Sequence, residues 1–157
     1  MATPTFDYED VRRQVIAQIQ TLEGWKHARH LFTGVNTQGA VIGDRTFDVK
    51  AGAATPTTSA RGGMERVKLQ VIVRMRHRAS LLQSAAGVDP SNADRRAVRI
   101  RMQTGGMEIS GAVEVRWIGD GAPLIRVNGF QDTDQTYELE FWSPIVVPGP
   151  NANAGVQ

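Results

Sequence analysis

The chain has no cysteine among its 157 residues, so neither a disulfide framework nor a thiolate zinc site can be built. Aromatic residues are sparse at 6%, and none interrupts the most basic segment. That removes the stacking platform on which modules reading single-stranded nucleic acid rely. No apolar run approaches the ~18 to 20 residues that span a bilayer, so a membrane partner is not expected. The opening MATPTFDYED carries neither the basic patch nor the apolar run of a secretory signal. The expected place of assembly is the cytoplasm.

What is present is a charge segregation hidden by a net charge of +2. From Arg61 to Arg101 ten basic residues face three acids, and from Met102 onward two basic residues face seven acids. Such blocks imply either a polyanionic partner or basic and acidic surfaces that meet each other. The basic block contains MERVKLQVIVRMRHRAS, residues 64 to 80. Alternate residues Val67, Leu69, Val71, Val73 and Met75 form one face; Arg66, Lys68, Gln70, Ile72, Arg74, Arg76 and Arg78 form the other. The period of two predicts a long half-buried strand with a cationic side.

The rest of the chain supplies an α+β pattern. Val11, Val15, Ile19 and Leu22 recur at helical spacing, predicting a helix over 7–23 that Gly24 ends. RTFDVK predicts a strand at 45–50. In AGAATPTTSARGG, residues 51 to 63, there is no large apolar side chain, which predicts a long inter-strand loop from Ala51 to Met64 turning at Gly62 and Gly63. Residues 91–103 carry both signals. Ser91 with Asp94 and the stop at Gly105–Gly106 favour a helix, whereas the alternation of Val98, Ile100 and Met102 favours a strand. The segments GAVEVRWIG, PLIRVNG and TYELEFWSPIV predict three more strands, with Asp132 and Asp134 in a turn between the last two. The expected fold is α+β: a mixed, mostly antiparallel sheet of about five strands with two helices on one face. One domain is expected over 1–147, followed by a flexible tail over 148–157.

Catalytic chemistry is not evident. The serines fall in predicted loops without an elbow motif, and TGG and RGG lack the lysine and helix of a phosphate loop. His27 and His30 have i, i+3 spacing but no third ligand nearby, so they read as surface histidines beside a partly buried Trp25. His77 reads as a half-exposed packing residue at the end of its strand. No enzyme, metal or cofactor is expected. Glu138 and Glu140 stand outward on the last strand, so cross-strand or intersubunit ion pairs are the expected counterpart of the basic face. Phosphate contacts from that face and from Arg95, Arg96, Arg99 and Arg101 are the competing nucleic-acid reading.

The order of parts carries a resemblance. An amphipathic helix ending in LEGWK is followed by RTFDV, a small-residue stretch, ERVKLQVIVRMR, ADRRAV and a closing TYELEFWSPIVV. Over roughly residues 5 to 147 this resembles the tail terminator (tail-completion) proteins of long-tailed bacteriophages, departing at SLLQSAAGVDPSN and after Pro148. The resemblance implies a hexameric ring at the head–tail junction of the virion that stops tail-tube polymerisation and docks the head connector. Its partners would be its own copies, the tail-tube protein and a head-completion protein, with DNA passing through the lumen without specific binding. Another neck ring protein is the alternative within that class. Candidate subunit or tube contacts are Arg61, Arg66, Lys68, Arg74, Arg76, Arg78, Glu138 and Glu140.

Overall fold

The computed structural model describes residues 8–29, 31–32, 45–61, 63–78, 90–105, 109, 112–125 and 130–144. The chain order is α1 (Tyr8–Gln20), β1 (Lys26–His27), β2 (Thr46–Arg61), β3 (Met64–Arg78), α2 (Pro90–Gly105), β4 (Ala112–Asp120), β5 (Leu124–Ile125) and β6 (Phe130–Pro144). The strands make one six-stranded sheet in the order β1-β2-β3-β6-β4, with β5 also paired to β6. Only the β1–β2 pair is parallel. The fold is α+β, as expected, with one short strand, β1, beyond the five expected. The predicted C-terminal tail lies outside the described residues.

The core forms where the helices meet the apolar side of the sheet. Val11, Val15, Ile16 and Ile19 of α1 and Val98 and Met102 of α2 are buried against a common set of strand residues. These include Phe47 and Val49 of β2, Leu69, Val71, Val73 and Met75 of β3, and Tyr137, Leu139 and Phe141 of β6. Each such side chain contributes about 1.5–3 kcal/mol when fully buried, so the sheet's alternation and the helices' stripe stabilise one another. Residues 90–105 are helical: of the three alternating apolar residues, Val98 and Met102, one turn apart, are buried, whereas Ile100 is 47% exposed and does not extend the alternation.

The stretch expected as a loop after Ala51 is instead the second half of β2. It pairs with β3 as far as Arg61 opposite Met64, and Gly63 beside that pair has φ 77°. Register shifts fall between Ala51 and Ala54 and between Pro56 and Ala60. At the first shift β2 carries one extra residue, a bulge that returns Ala54 to the core face opposite Leu69. Small residues suffice there, so the strand shows no large apolar alternation.

Candidate functional site

Charge pairing on the sheet's polar face is set by register. β3 and β6 pair antiparallel without a shift, bringing Lys68 opposite Glu140, Arg74 opposite Asp134 and Arg76 opposite Asp132. Side chains directly opposite on one face lie close enough to bond. Arg74 Nε and Nη2 donate to the two oxygens of Asp134 at 2.8 and 2.9 Å. Arg76 does the same to Asp132 at 2.7 and 2.9 Å. Arg66 pairs with Glu140, and its Nη2 lies 3.5 Å from Glu114. Lys68 Nζ lies 3.4 Å from Glu138 and 3.7 Å from Glu140, and Arg116 Nη2 donates to Glu138 at 2.8 Å. Asp132 and Asp134 therefore belong to a strand and not to the predicted turn, and their role is to answer the two arginines.

The ladder changes character along its length. At one end Asp132 is fully buried, and the Arg76 and Arg78 guanidiniums lie over the ring of Phe130 at 5.8 and 6.0 Å. Arg74 lies 4.5 Å over Phe32 and donates to the carbonyl of Leu31. The hydrogen bond from Arg74 to Asp134 outweighs the desolvation of its guanidinium and holds its pKa above the ordinary arginine value. At the other end Glu114 and Arg116 are exposed and Lys68 is half-buried. Of the remaining candidate contacts, Arg78 is exposed, and the side chain of Arg61 lies outside the described residues. The carboxylates that answer the basic strand are thus those of β6 and β4 in the same chain.

Two polar clusters were not legible in the sequence. His27 is not a free surface group: its Nε2 sits 2.9 Å from Asp48 Oδ1, which also accepts from Arg12 Nη2 at 3.0 Å. Arg12 Nε donates to the Val49 carbonyl at 2.7 Å, capping the edge of β2 just past its short pairing with β1. These groups line a groove of about 730 Å³ between α1 and β2. His77 is buried, not half-exposed. Its ring meets Trp25 edge-on at 5.6 Å, and its Nε2 lies 3.0 Å from Asp94 Oδ2. Asp94 Oδ1 also accepts from Arg45, whose guanidinium stacks over Trp25 at 5.4 Å. Both clusters tie elements together, joining α1 to β2 and α2 to β3. His30 lies outside the described residues.

Among the described residues no group of three or more His, Cys, Asp or Glu side chains could hold a metal ion. No helix among them is long and apolar enough to cross a membrane. Ser91 is buried in α2, and Ser59 and Ser143 fall within β2 and β6, so these three do not lie in the expected loops. Compared with known proteins, the chain matches no family model and no curated sequence.

Proposed function

We propose that the chain is a structural ring subunit of the tail-terminator type, assembling as a hexamer that ends tail-tube growth and offers a surface to the head connector. The observation that supports this reading is that the sheet has two open and unlike edges. Among the described residues, β4 has no strand beyond it, and β2 is paired on its outer side only at Thr46 and Phe47. Unpaired edges offer rows of backbone donors and acceptors to another chain. Because the two edges differ, contacts between copies would be head-to-tail, the kind that closes into a ring when the rotation divides a full turn. Each edge strand carries two register shifts, but β4 contains no proline, whereas Pro56 blunts the far half of β2. The pairing of basic and acidic strands inside the chain leaves backbone edges, not the charged sheet face, as the stronger candidate for subunit contact.

Native mass spectrometry and sedimentation test the assembly. The wild-type chain should be a hexamer. Ile118, 51% exposed on β4, is the residue to change. An edge lysine disfavours strand addition, so Ile118→Lys should yield folded monomers that fail to cap tail tubes in an assembly assay. A wild-type monomer at every concentration, or a variant that assembles as well as wild type, would remove the basis of the reading.

A further inference from the structure

We propose that the cleft between α2 and β4 is a binding site for a phosphate-type oxyanion. The cleft encloses about 290 Å³ and is lined by Asn92, Arg95, Arg96, Arg99, Asp120 and Gln135. The burial of Val98 and Met102 fixes the rotation of α2, and Arg95 and Arg99, one turn apart, then project toward β4. The Arg99 guanidinium lies 4.5 Å over the ring of Trp117. Arg95 Nη1 donates to Asp120 Oδ2 at 2.9 Å, and its carbonyl accepts from Gln135 Nε2 at 2.9 Å. Arg96 stands exposed at the same rim.

The charge balance of the cleft differs from that of the sheet. Three guanidiniums face one carboxylate. That carboxylate is already engaged on both oxygens, Oδ2 by Arg95 and Oδ1 by Trp117 Nε1 at 3.0 Å. Asp120 therefore holds the walls in place without neutralising Arg96 and Arg99. In the wider groove beside α1 the two helix arginines are answered locally, Arg12 by Asp48 and Glu9 and Arg13 by Asp10. A concave surface of one sign focuses the field on whatever enters it.

The chemistry of the occupant follows from these groups. Guanidinium forks match tetrahedral oxyanions, and stacking on Trp117 holds one fork oriented before binding. The excess of two positive charges matches a phosphate, at about −1.5 to −2, better than a single carboxylate. The volume lies near the lower bound of small-molecule pockets, about 300 Å³, leaving room for a phosphate with a small appendage. Arg99 lies over one face of the Trp117 ring and the residue packs against the core, so the cleft does not present an open aromatic face to a base. If the phosphate belongs to a nucleic acid, the contact is to its backbone and carries no sequence information. The inference stands apart from the ring reading, because a single subunit contains every group that it uses.

The test uses the full chain, with inorganic phosphate titrated against chloride at constant ionic strength and followed by calorimetry and by the Arg Nε–H resonances. Wild type should bind saturably, with shifts confined to Arg95, Arg96 and Arg99. Arg96→Ala removes an exposed guanidinium and should weaken binding about tenfold, the loss of one charge-assisted contact. Arg13→Ala, an exposed arginine of α1, should leave it unchanged. A short single-stranded oligonucleotide in competition separates the two sources. Displacement at lower phosphate concentration, with a steep salt dependence, identifies a nucleic-acid backbone; failure to displace identifies free phosphate or a phosphomonoester. No saturable response in wild type, or equal losses in Arg96→Ala and Arg13→Ala, would overturn the site.

Discussion

Removing the carboxylate of Asp132 should cost more than removing any other partner in the sheet's charge ladder. Asp132 is 0% exposed and receives two hydrogen bonds from Arg76, at 2.7 and 2.9 Å. The Arg76 side chain is itself only 10% exposed. In Asp132→Ala the guanidinium stays buried without its counter-charge, a situation that costs about 3–5 kcal/mol. Arg116 provides the contrast. It makes a 2.8 Å contact to Glu138, but its side chain is 57% exposed, and pairs of that kind are worth about 0–1 kcal/mol. A domain of this size is stable by only about 5–15 kcal/mol, so the first substitution removes a large share and the second almost none. Urea denaturation followed by circular dichroism reads the difference. With a slope near 2 kcal/mol per molar urea, Asp132→Ala should lower the midpoint by roughly 1.5–2.5 M and Arg116→Ala by less than about 0.5 M. Replacing both members with apolar residues, Arg76→Met with Asp132→Leu, should recover much of the loss, because neither charge then remains buried. Equal small losses in Asp132→Ala and Arg116→Ala would refute the reasoning, since burial would then not govern the ladder's energetics.

Two further outcomes follow from single residues. Burial, reinforced by the nearby Asp120 carboxylate, raises the pKa of Tyr137 well above its ordinary 10.0. Below that pH the phenol is neutral in both states; above it the unfolded chain releases a proton that the folded chain retains. Stability should therefore fall by about 1.4 kcal/mol per pH unit on the alkaline side, and urea midpoints on either side of pH 10 should flatten by that slope in Tyr137→Phe. Gly24 has φ 84°, and a Cβ there would sit 2.5 Å from Arg45 Nη1, the guanidinium that stacks on Trp25. Gly24→Ala should cost about 1–2 kcal/mol through backbone strain, with a further loss from the displaced arginine; a melting temperature equal to wild type would count against that packing.

The parts of the fold that could be read in advance are those whose side-chain period equals their burial period. Val11, Val15 and Ile19 sit one turn apart and are all buried, and Val67 to Met75 alternate without interruption, so α1 and β3 match their predicted elements. The far half of β2 was hidden by its bulge, since one extra residue between Ala51 and Ala54 breaks the alternation that defines a strand. The small residues that follow leave no large apolar side chain to restore it. Asp132 and Asp134 read as turn residues from local polarity, whereas their place is set by the arginines of the strand opposite. The signal was nonetheless present: Arg74 and Arg76 share the spacing of the two aspartates, as an unshifted antiparallel register requires. His77 kept the apolar register of its strand, but its burial depends on Trp25 and Asp94, partners far away in sequence.

The charge blocks of the sequence bear on the proposed phosphate cleft as well. An antiparallel pair folds an earlier segment onto a later one, so a basic block and an acidic block in sequence become neighbours in the sheet. Arg66, Lys68, Arg74 and Arg76 of β3 are paired in this way with carboxylates of β6 and β4. The helix α2 belongs to the same basic block but has no strand register to bring acids alongside it. Around the cleft it meets one carboxylate, Asp120 at the end of β4, and that group is held by Arg95 and Trp117. The positive charge of the sequence therefore survives folding where a helix, not a strand, carries it. Arg95 and Arg99 could be placed on one helical face from spacing alone. That the face would meet Trp117 and Asp120 could not, because contacts between α2 and β4 leave no periodic trace in either segment.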